Sequence, residues 1–359
     1  MPARLQEVAI RAGVSIKTVS NVVNGYAHVS PATRARVEEA VAALDYRPNL
    51  SARSLRGGRS GIIALAVPEL AVPYFAELSQ SVVRAAGLRG FTVLVDQTEG
   101  LPDRERLVLE GIRPHLIDGV IFSPLALGQD ELARRQDRTP MVLLGERVEA
   151  GSMDHVAIDN VAAAREAVLH LAALGRTRIA ALGAIRSAKG ENARLRLAGY
   201  REGLEAAGLP FRSELVAEVR DFHRHDGAAG MARLMALEPP PDAVFAFSDL
   251  LALGALRACY DRDLRVPEDI AVVGFDDIED GRYSAPSLTT VSPDKEHIAR
   301  LAMDLLGTRL EERTAKGSGA LEGTPAGGGS GGLGSAGPRD VLAPHRLIVR
   351  ESTAGRGKR

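Results

Sequence analysis

Residues 15–21, Ser-Ile-Lys-Thr-Val-Ser-Asn, put a cation, an amide, three hydroxyls and two branched apolar side chains within two helical turns. On one helix face, Ser15, Ile16, Lys17, Ser20 and Asn21 could meet the donors, acceptors and methyl groups that base edges show in a DNA major groove. The elements needed to hold them there are legible on either side. Leu5, Val8, Ala9 and Ala12 recur at i, i+3, i+4 and i+7, the apolar stripe of a short helix. Gly13 falls where a tight turn needs positive φ, and Val14 plugs the angle between two helices. Ser15 can then N-cap a second helix whose buried side is Val19, Val22 and Val23. Ser30-Pro31 opens a third helix running to about Leu44, and Val37, Ala40, Val41 and Leu44 close a three-helix core. An ordinary pair of small core helices would share the first two of these patterns, so the rest of the chain has to decide.

Charge is one discriminator. Residues 1–60 hold nine basic and four acidic side chains, whereas the whole chain is −1, so residues 61–359 carry −6. A basic head on an acidic body suits a nucleic-acid-binding module attached to something that should stay off the nucleic acid. The N-terminal Met-Pro-Ala-Arg-Leu-Gln-Glu has no apolar stretch of the signal-peptide kind, and no apolar run approaches membrane-spanning length. One cysteine, Cys259, allows no internal disulfide and reads as core filler. A cytoplasmic protein with no membrane partner is expected.

Past Gly61, short apolar runs alternate with helical periods. Runs at 62–67, 91–95, 119–122 and 141–144 read as buried strands and 155–158 as a weaker one. A second series falls at 178–182, 215–219, 243–247 and 270–275, with amphipathic helices between, as at 74–88, 161–174, 192–207, 226–237 and 250–260. Such alternation implies parallel sheets covered on both faces. Two series split near Asn160 imply two doubly wound subdomains, with ligand bound in a cleft outside the carboxyl ends of their strands. Residues 313–338, dominated by Gly, Ala and Ser, read as a flexible insert between a helix at 295–312 and a last strand near 347–349. Within it, Gly328-x-Ser330-x-Gly332 and Gly332-x-Gly334-x-x-Gly337 match enzyme motifs in letters only, because neither follows a strand or opens a helix. The end, 354–359, reads as a disordered tail. His223 and His225 read as polar loop residues rather than a metal pair, and no cofactor is expected.

In order and spacing, Val14-Ser-x-x-Thr-Val-Ser20, Val23-Asn-Gly, His28-Val-Ser, Tyr46-x-Pro-Asn and Ala52-Arg-Ser-Leu resemble the LacI/GalR (lactose-repressor/galactose-repressor) family of bacterial transcription regulators. Val67-Pro-Glu-Leu70, Asp118-Gly-Val-Ile121, the run 192–200, Val273-Gly-Phe-Asp-Asp277 and the run 347–353 extend the likeness over the body. The resemblance implies an α/β protein with an all-α helix-turn-helix head (1–48), a hinge helix and linker (49–60), and an effector-binding domain (61–353). That domain would hold two doubly wound parallel-sheet subdomains like those of periplasmic sugar-binding proteins, joined by three crossovers. The N-subdomain would span about 61–160 and 291–312, the C-subdomain about 161–290 and 340–353.

Roles follow from the same resemblance. Ile16, Lys17 and Asn21 fall at base-reading positions, suited to a thymine methyl, a guanine edge and an adenine; Lys17 could equally meet phosphate alone. Ser15, Thr18, Ser20, Asn24 and His28 look like DNA-backbone contacts, as do Arg53 and Arg56; Asn24 could equally end a helix and His28 sit in a surface loop. Residues 51–56 resemble a hinge helix too short to form alone, which two copies packed in a minor groove could stabilise. Leu55 would then be a wedge between base pairs, with Ala52 allowing close approach; the alternative packs Leu55 on the body. In the cleft, Arg196 and Asp276 match effector-binding residues, a guanidinium donating to and a carboxylate accepting from sugar hydroxyls. Phe222 would close over the ligand, and Tyr74, Phe75 and Ser248 would line it. Asp249 and Asp277 read as caps of the segments that follow. Gly145, Val72 and Pro68 stand where polar residues are common in the family, and the chain lacks tryptophan.

The expectation is a homodimeric, sequence-specific regulator, a repressor on a near-palindromic operator, controlled by a small-molecule effector of the sugar class. The alternative is a cytoplasmic solute-binding or enzymatic α/β protein with an incidental helical head. An enzyme would need a nucleophile–base set or a metal cluster at strand ends, and the sequence offers neither.

Overall fold

A computed structural model of the chain describes residues 3–23, 26, 28–46, 59–111, 116–145, 153–185, 190–319 and 337–355. They belong to two units, residues 1–60 and 61–359, each with its own core.

In the first unit, α1 (Leu5–Ala12), α2 (Ile16–Val23) and α3 (Pro31–Ala43) surround Val8, Val19 and Val37, all fully buried. Ala9, Ala12, Val22 and Ala40 complete this core, with Leu5, Val14, Val23, Val41 and Leu44 packed against it, the apolar set read from the periodicity. Local chemistry sets the helix ends. α1 stops at Gly13, whose φ of +63° lies in the left-handed region that a side chain would strain. The Ser15 hydroxyl accepts the Thr18 amide at 3.1 Å and starts α2. Ser30 accepts from the Thr33 amide at 3.3 Å, with Pro31 in the first turn of α3.

The second unit holds two six-stranded sheets. The first takes β1 (Ile62–Val67), β2 (Thr92–Gln97), β3 (Gly119–Phe122), β4 (Met141–Leu144) and β5 (Asp154–Ile158) in parallel. Around it run α4 (Pro73–Gly87), α5 (Pro102–Gly111) and α6 (Gln129–Ala133). Asn160 opens α7 (Asn160–Ala173) and the second lobe: β6 (Ile179–Ala184), α8 (Glu191–Ala206), β7 (Val216–Glu218), α9 (Arg224–Met235), β8 (Ala243–Ala246), α10 (Asp249–Tyr260), β9 (Ala271–Phe275), α11 (Glu279–Tyr283) and β10 (Thr289–Pro293). The chain then returns along α12 (Lys295–Gly319), which packs on α4, and finishes with β11 (Asp340–Ala343), β12 (His345–Ile348) and α13 (Glu351–Ala354). The sheet orders are β11-β5-β4-β3-β1-β2 and β12-β10-β9-β8-β6-β7; among the described residues all neighbours pair in parallel except β12, which is antiparallel to β10. The chain thus passes between lobes three times, after β5, after β10 and between β11 and β12.

Several expectations need correction. Residues 340–343 belong to the first lobe, not the second, because β11 pairs in parallel with β5 from Asp340↔His155 to Ala343↔Ile158. Conversely, 291–293 belong to the second, because Thr289–Pro293 extends that sheet beside β9. The run 91–95 is not a buried strand: β2 ends the sheet order, and Leu94 and Val95 remain about two-fifths exposed. The strand read as weak, β5, is buried throughout, its Asp154 carboxylate held at 2.8 Å by both Nε and Nη2 of Arg309 from α12. That helix runs to Gly319, into the stretch read as an insert, and Ala354 of the expected tail ends α13. Residues 320–336 and 356–359 lie outside the described residues.

Candidate functional site

On α2 the core side is taken by Val19 and Val22, so positions 16, 17, 20 and 21 share the other face. Ile16 and Lys17 are exposed, and Ser20 and Asn21 half-buried; His28 is exposed in the following loop. The hydroxyls of Ser15 and Thr18 lie 2.9 Å apart, so both side chains also serve the start of the helix. The cap at Ser15 was legible in the sequence; the engagement of the Thr18 hydroxyl was not, nor was Tyr26, 60% exposed, whose carbonyl accepts from Arg34 at 2.7 Å. Asn24 and the hinge residues Ala52, Arg53, Leu55 and Arg56 lie outside the described residues.

In the second unit, a cavity of about 670 Å³ lies between the two lobes, at the carboxyl ends of their strands. The six residues expected around an effector, Tyr74, Phe75, Arg196, Phe222, Ser248 and Asp276, all stand on its wall. Packing of glycines makes this possible. Gly199 and Gly203 lay α8 directly on α7; a Cβ at Gly199 would sit 2.2 Å from the Val161 carbonyl oxygen. That close approach brings Arg196, one turn earlier, within 2.8 Å of the Asn160 Oδ1 at the start of α7. The Arg196 guanidinium also donates to the Phe247 carbonyl and lies 3.5 Å over the centre of the Phe275 ring. So held, and only 5% exposed, it leaves Nη2 3.9 Å from Asp276 Oδ1. That gap is too long for a direct hydrogen bond and suits a ligand hydroxyl bridging both groups.

Asp276 itself has φ +116°, a conformation that is costly for a side-chain-bearing residue and persists only where its surroundings impose it. Its amide donates to Val291 at 2.8 Å, and Asp249 and Asp277 fix the turn beyond it. Neither is a cap. The cap of α10 is Ser248, whose hydroxyl accepts from the Leu251 amide at 3.2 Å, and Asp249 is the helix's first residue. Fully buried, Asp249 instead accepts from the Ile278 amide at 2.9 Å and the Thr290 hydroxyl at 2.6 Å. Burial, reinforced by the charge of Asp276, pushes its carboxyl well above the usual range despite those two bonds. Asp277 has the opposite environment. Burial works against its ionisation, but Arg350 at 2.6 Å, Ser292 at 2.9 Å and the charge of Arg282 outweigh that and hold its carboxyl below the usual range. α11, which follows, has no side-chain cap.

Sequence reasoning also missed Glu105, a fully buried carboxylate on α5 that accepts the amides of Leu125, Ala126 and Leu127 at 2.7–2.9 Å. An isolated Glu in a helix gives no sign that a loop twenty residues later will close on it. His223 and His225 stack 5.8 Å apart, and His223 Nε2 lies 3.6 Å from Glu69 of the first lobe; among the described residues no cluster suits a metal.

Known proteins resemble the chain along its whole length. Residues 4–49 match the model for bacterial regulatory proteins of the lacI family, and 168–329 that for a periplasmic binding protein-like domain. The HTH-type transcriptional regulator DegA of Bacillus subtilis (strain 168) is 32% identical over 359 residues, 99% of both chains. The structure of the transcriptional regulator CelR in complex with cellobiose superposes with a TM-score of 0.68 at 32% identity, covering 98% of this chain and 99% of that one. The lac repressor dimer bound to operator and the anti-inducer ONPF superposes with a TM-score of 0.81 at 28% identity, with the same coverage. No helix among the described residues is long and apolar enough to cross a membrane.

Proposed function

The chain belongs to the lacI family of bacterial regulatory proteins, and we propose that it is a cytoplasmic, homodimeric repressor released from or directed to its operator by a sugar-class effector in the interlobe cavity. The observation that carries this reading is the pairing of Arg196 and Asp276 across 3.9 Å on one cavity wall, in a chain whose other unit is a helix-turn-helix. In this reading Ile16, Lys17 and Asn21 read bases, Ser15, Thr18, Ser20, Asn24, His28, Arg53 and Arg56 touch the DNA backbone, and Leu55 with Ala52 wedges the minor groove. The effector changes the closure of the lobes, and with it the spacing of paired first lobes and the ability of two hinge segments to form helices together. That is coupling between two sites through one bistable element. Self-association is supported by exposed Val83 on α4 and by Leu94 and Val95 on the adjacent edge strand β2, apolar side chains that a partner copy would cover.

Selection of genomic fragments by the purified full chain, at one fixed salt concentration, tests the reading. One recognition helix contacts too few bases for specificity, so the retained fragments are expected to share a two-fold symmetric motif. A retained set without such symmetry would show that this chain is not a dimeric operator reader.

A further inference from the structure

The strained turn that carries Asp276 is held from both lobes. Within the second lobe, the Asp277 carboxylate accepts from Arg350 and Ser292, and Asp249 accepts the Ile278 amide. The first lobe grips the backbone of the same turn at two points. Lys295, the first residue of α12, donates from Nζ to the Asp277 carbonyl at 2.9 Å. Glu77 of α4 accepts the Glu279 amide at 2.9 Å through Oε1. The two side chains are also joined to each other, Lys295 Nζ to Glu77 Oε2, at 2.9 Å. Cation, carboxylate, carbonyl and amide thus close one ring of charge-assisted bonds across the lobes, with Lys295 only 11% exposed.

The ring borders the effector cavity on both sides. Asp276, with φ +116°, immediately precedes the gripped backbone. Tyr74, on the first lobe's part of the wall, lies one turn before Glu77, and its ring centre is 5.8 Å from Lys295 Nζ. Elsewhere on the wall the lobes meet more loosely: His223 Nε2 stands 3.6 Å from Glu69, beyond hydrogen-bond range. Lys295 is also two residues past β10, beside a crossover, where a small displacement swings the far ends of the lobes by a larger one. Resting on the reading of this cavity as an effector site, we propose that Glu77 and Lys295 are its positioning residues, a clamp that holds the lobes in this arrangement, sets the Asp276 carboxylate against Arg196 and passes the effect of a bound effector to the first lobe. An effector that draws on Asp276 displaces the 277–279 backbone, and the clamp carries that displacement to α4 and α12, which pack on each other. Exposed Val83 extends the route from α4 toward a partner copy.

Spin labels at two exposed positions, Glu110→Cys of the first lobe and Glu205→Cys of the second, measure lobe separation in the full chain diluted with unlabelled copies; the native Cys259 is buried. With no ligand present, Lys295→Met is expected to broaden the distance distribution. Glu77→Gln should broaden it less, because its amide oxygen still accepts from Glu279, and Lys295→Arg should restore the narrow distribution. Combining Glu77→Gln with Lys295→Met should add little to Lys295→Met alone, since the pair acts as a unit. An unchanged distribution in Lys295→Met overturns the clamp, whatever any sugar does. The relay is read from gel shifts of the selected genomic fragments with glucose, galactose, mannose, xylose or cellobiose present. A sugar that moves operator affinity by about 5- to 150-fold in the unsubstituted chain should move it several-fold less in Lys295→Met, and an undiminished effect overturns the relay. Failure of all these sugars counts against the sugar-class reading, and the distance measurement still decides the clamp.

Discussion

Arg196 and Asp276 illustrate how little of a binding residue's behaviour lies in its own side chain. The guanidinium is positioned by Asn160, the Phe247 carbonyl and the Phe275 ring before any ligand arrives, so its ordering entropy is spent in folding rather than in binding. Removing either member of the pair leaves ligand and protein groups facing one another unsatisfied. Asp276→Ala and Arg196→Ala are each expected to cost roughly 2–5 kcal/mol of effector affinity. The first unit carries none of these groups, so operator binding should persist and the variants should be deaf to effector. Calorimetry for the ligand and gel shift for the operator separate the two effects; full effector affinity in both variants would place the binding site elsewhere.

Among the elements, α10 and the β9–α11 turn are tied by one buried carboxyl, Asp249, on which Thr290 and the Ile278 amide converge. Its raised pKa has a definite consequence for stability. Below about pH 4, near its ordinary value, Asp249 is protonated in both folded and unfolded chains and contributes no pH dependence. As pH rises from there toward its raised folded value, the unfolded chain releases the proton that the folded one retains, and the folded state loses stability relative to the unfolded. Asp249→Asn removes this titration while keeping an oxygen acceptor. The stability of the variant relative to the unsubstituted protein should therefore increase as pH rises above about 4. Urea midpoints of both proteins across that range measure the difference; a gap independent of pH would mean that Asp249 is ionised in the fold.

For the whole molecule, the three interlobe connections make the second unit a pair of bodies hinged along neighbouring strands. Asp294 at one crossover donates its amide to Pro344 at another, at 3.2 Å. Effector trapped between such bodies can alter their closure, and a change of closure would reach a pair of hinge segments. Leu55 is where the change would be felt on DNA. Leu55→Ala should lower specific affinity and reduce the operator bend while leaving thermal unfolding of the body unaltered, since only a filled base step offsets the cost of unstacking. Circularly permuted operator fragments report the bend angle directly, and an unchanged angle in the variant excludes intercalation by Leu55.

Local periodicity was enough to read the three head helices with their caps at Ser15 and Ser30, the alternation of strands and helices, and a cleft at the strand ends. Each of these is written within a few turns of chain. The resemblance then located six wall residues that the fold brings to one cavity. What only tertiary structure decided is long-range. Asp340-Val-Leu-Ala343 and Thr289-Thr-Val-Ser-Pro293 carry no signal of which sheet they join, because sheet membership depends on partners more than a hundred residues away in the first case and on the order of crossovers in the second. Phe91-Thr-Val-Leu-Val95 looks like any buried strand, and its exposure follows solely from its place at the end of the sheet order. In the sequence Glu105 is one more helix carboxylate and Asp249 reads as a cap, yet both are fully buried in hydrogen-bond networks closed by distant backbone amides. Apolar spacing announces itself along the chain; the partner of a buried polar group is chosen only when the chain has folded around it.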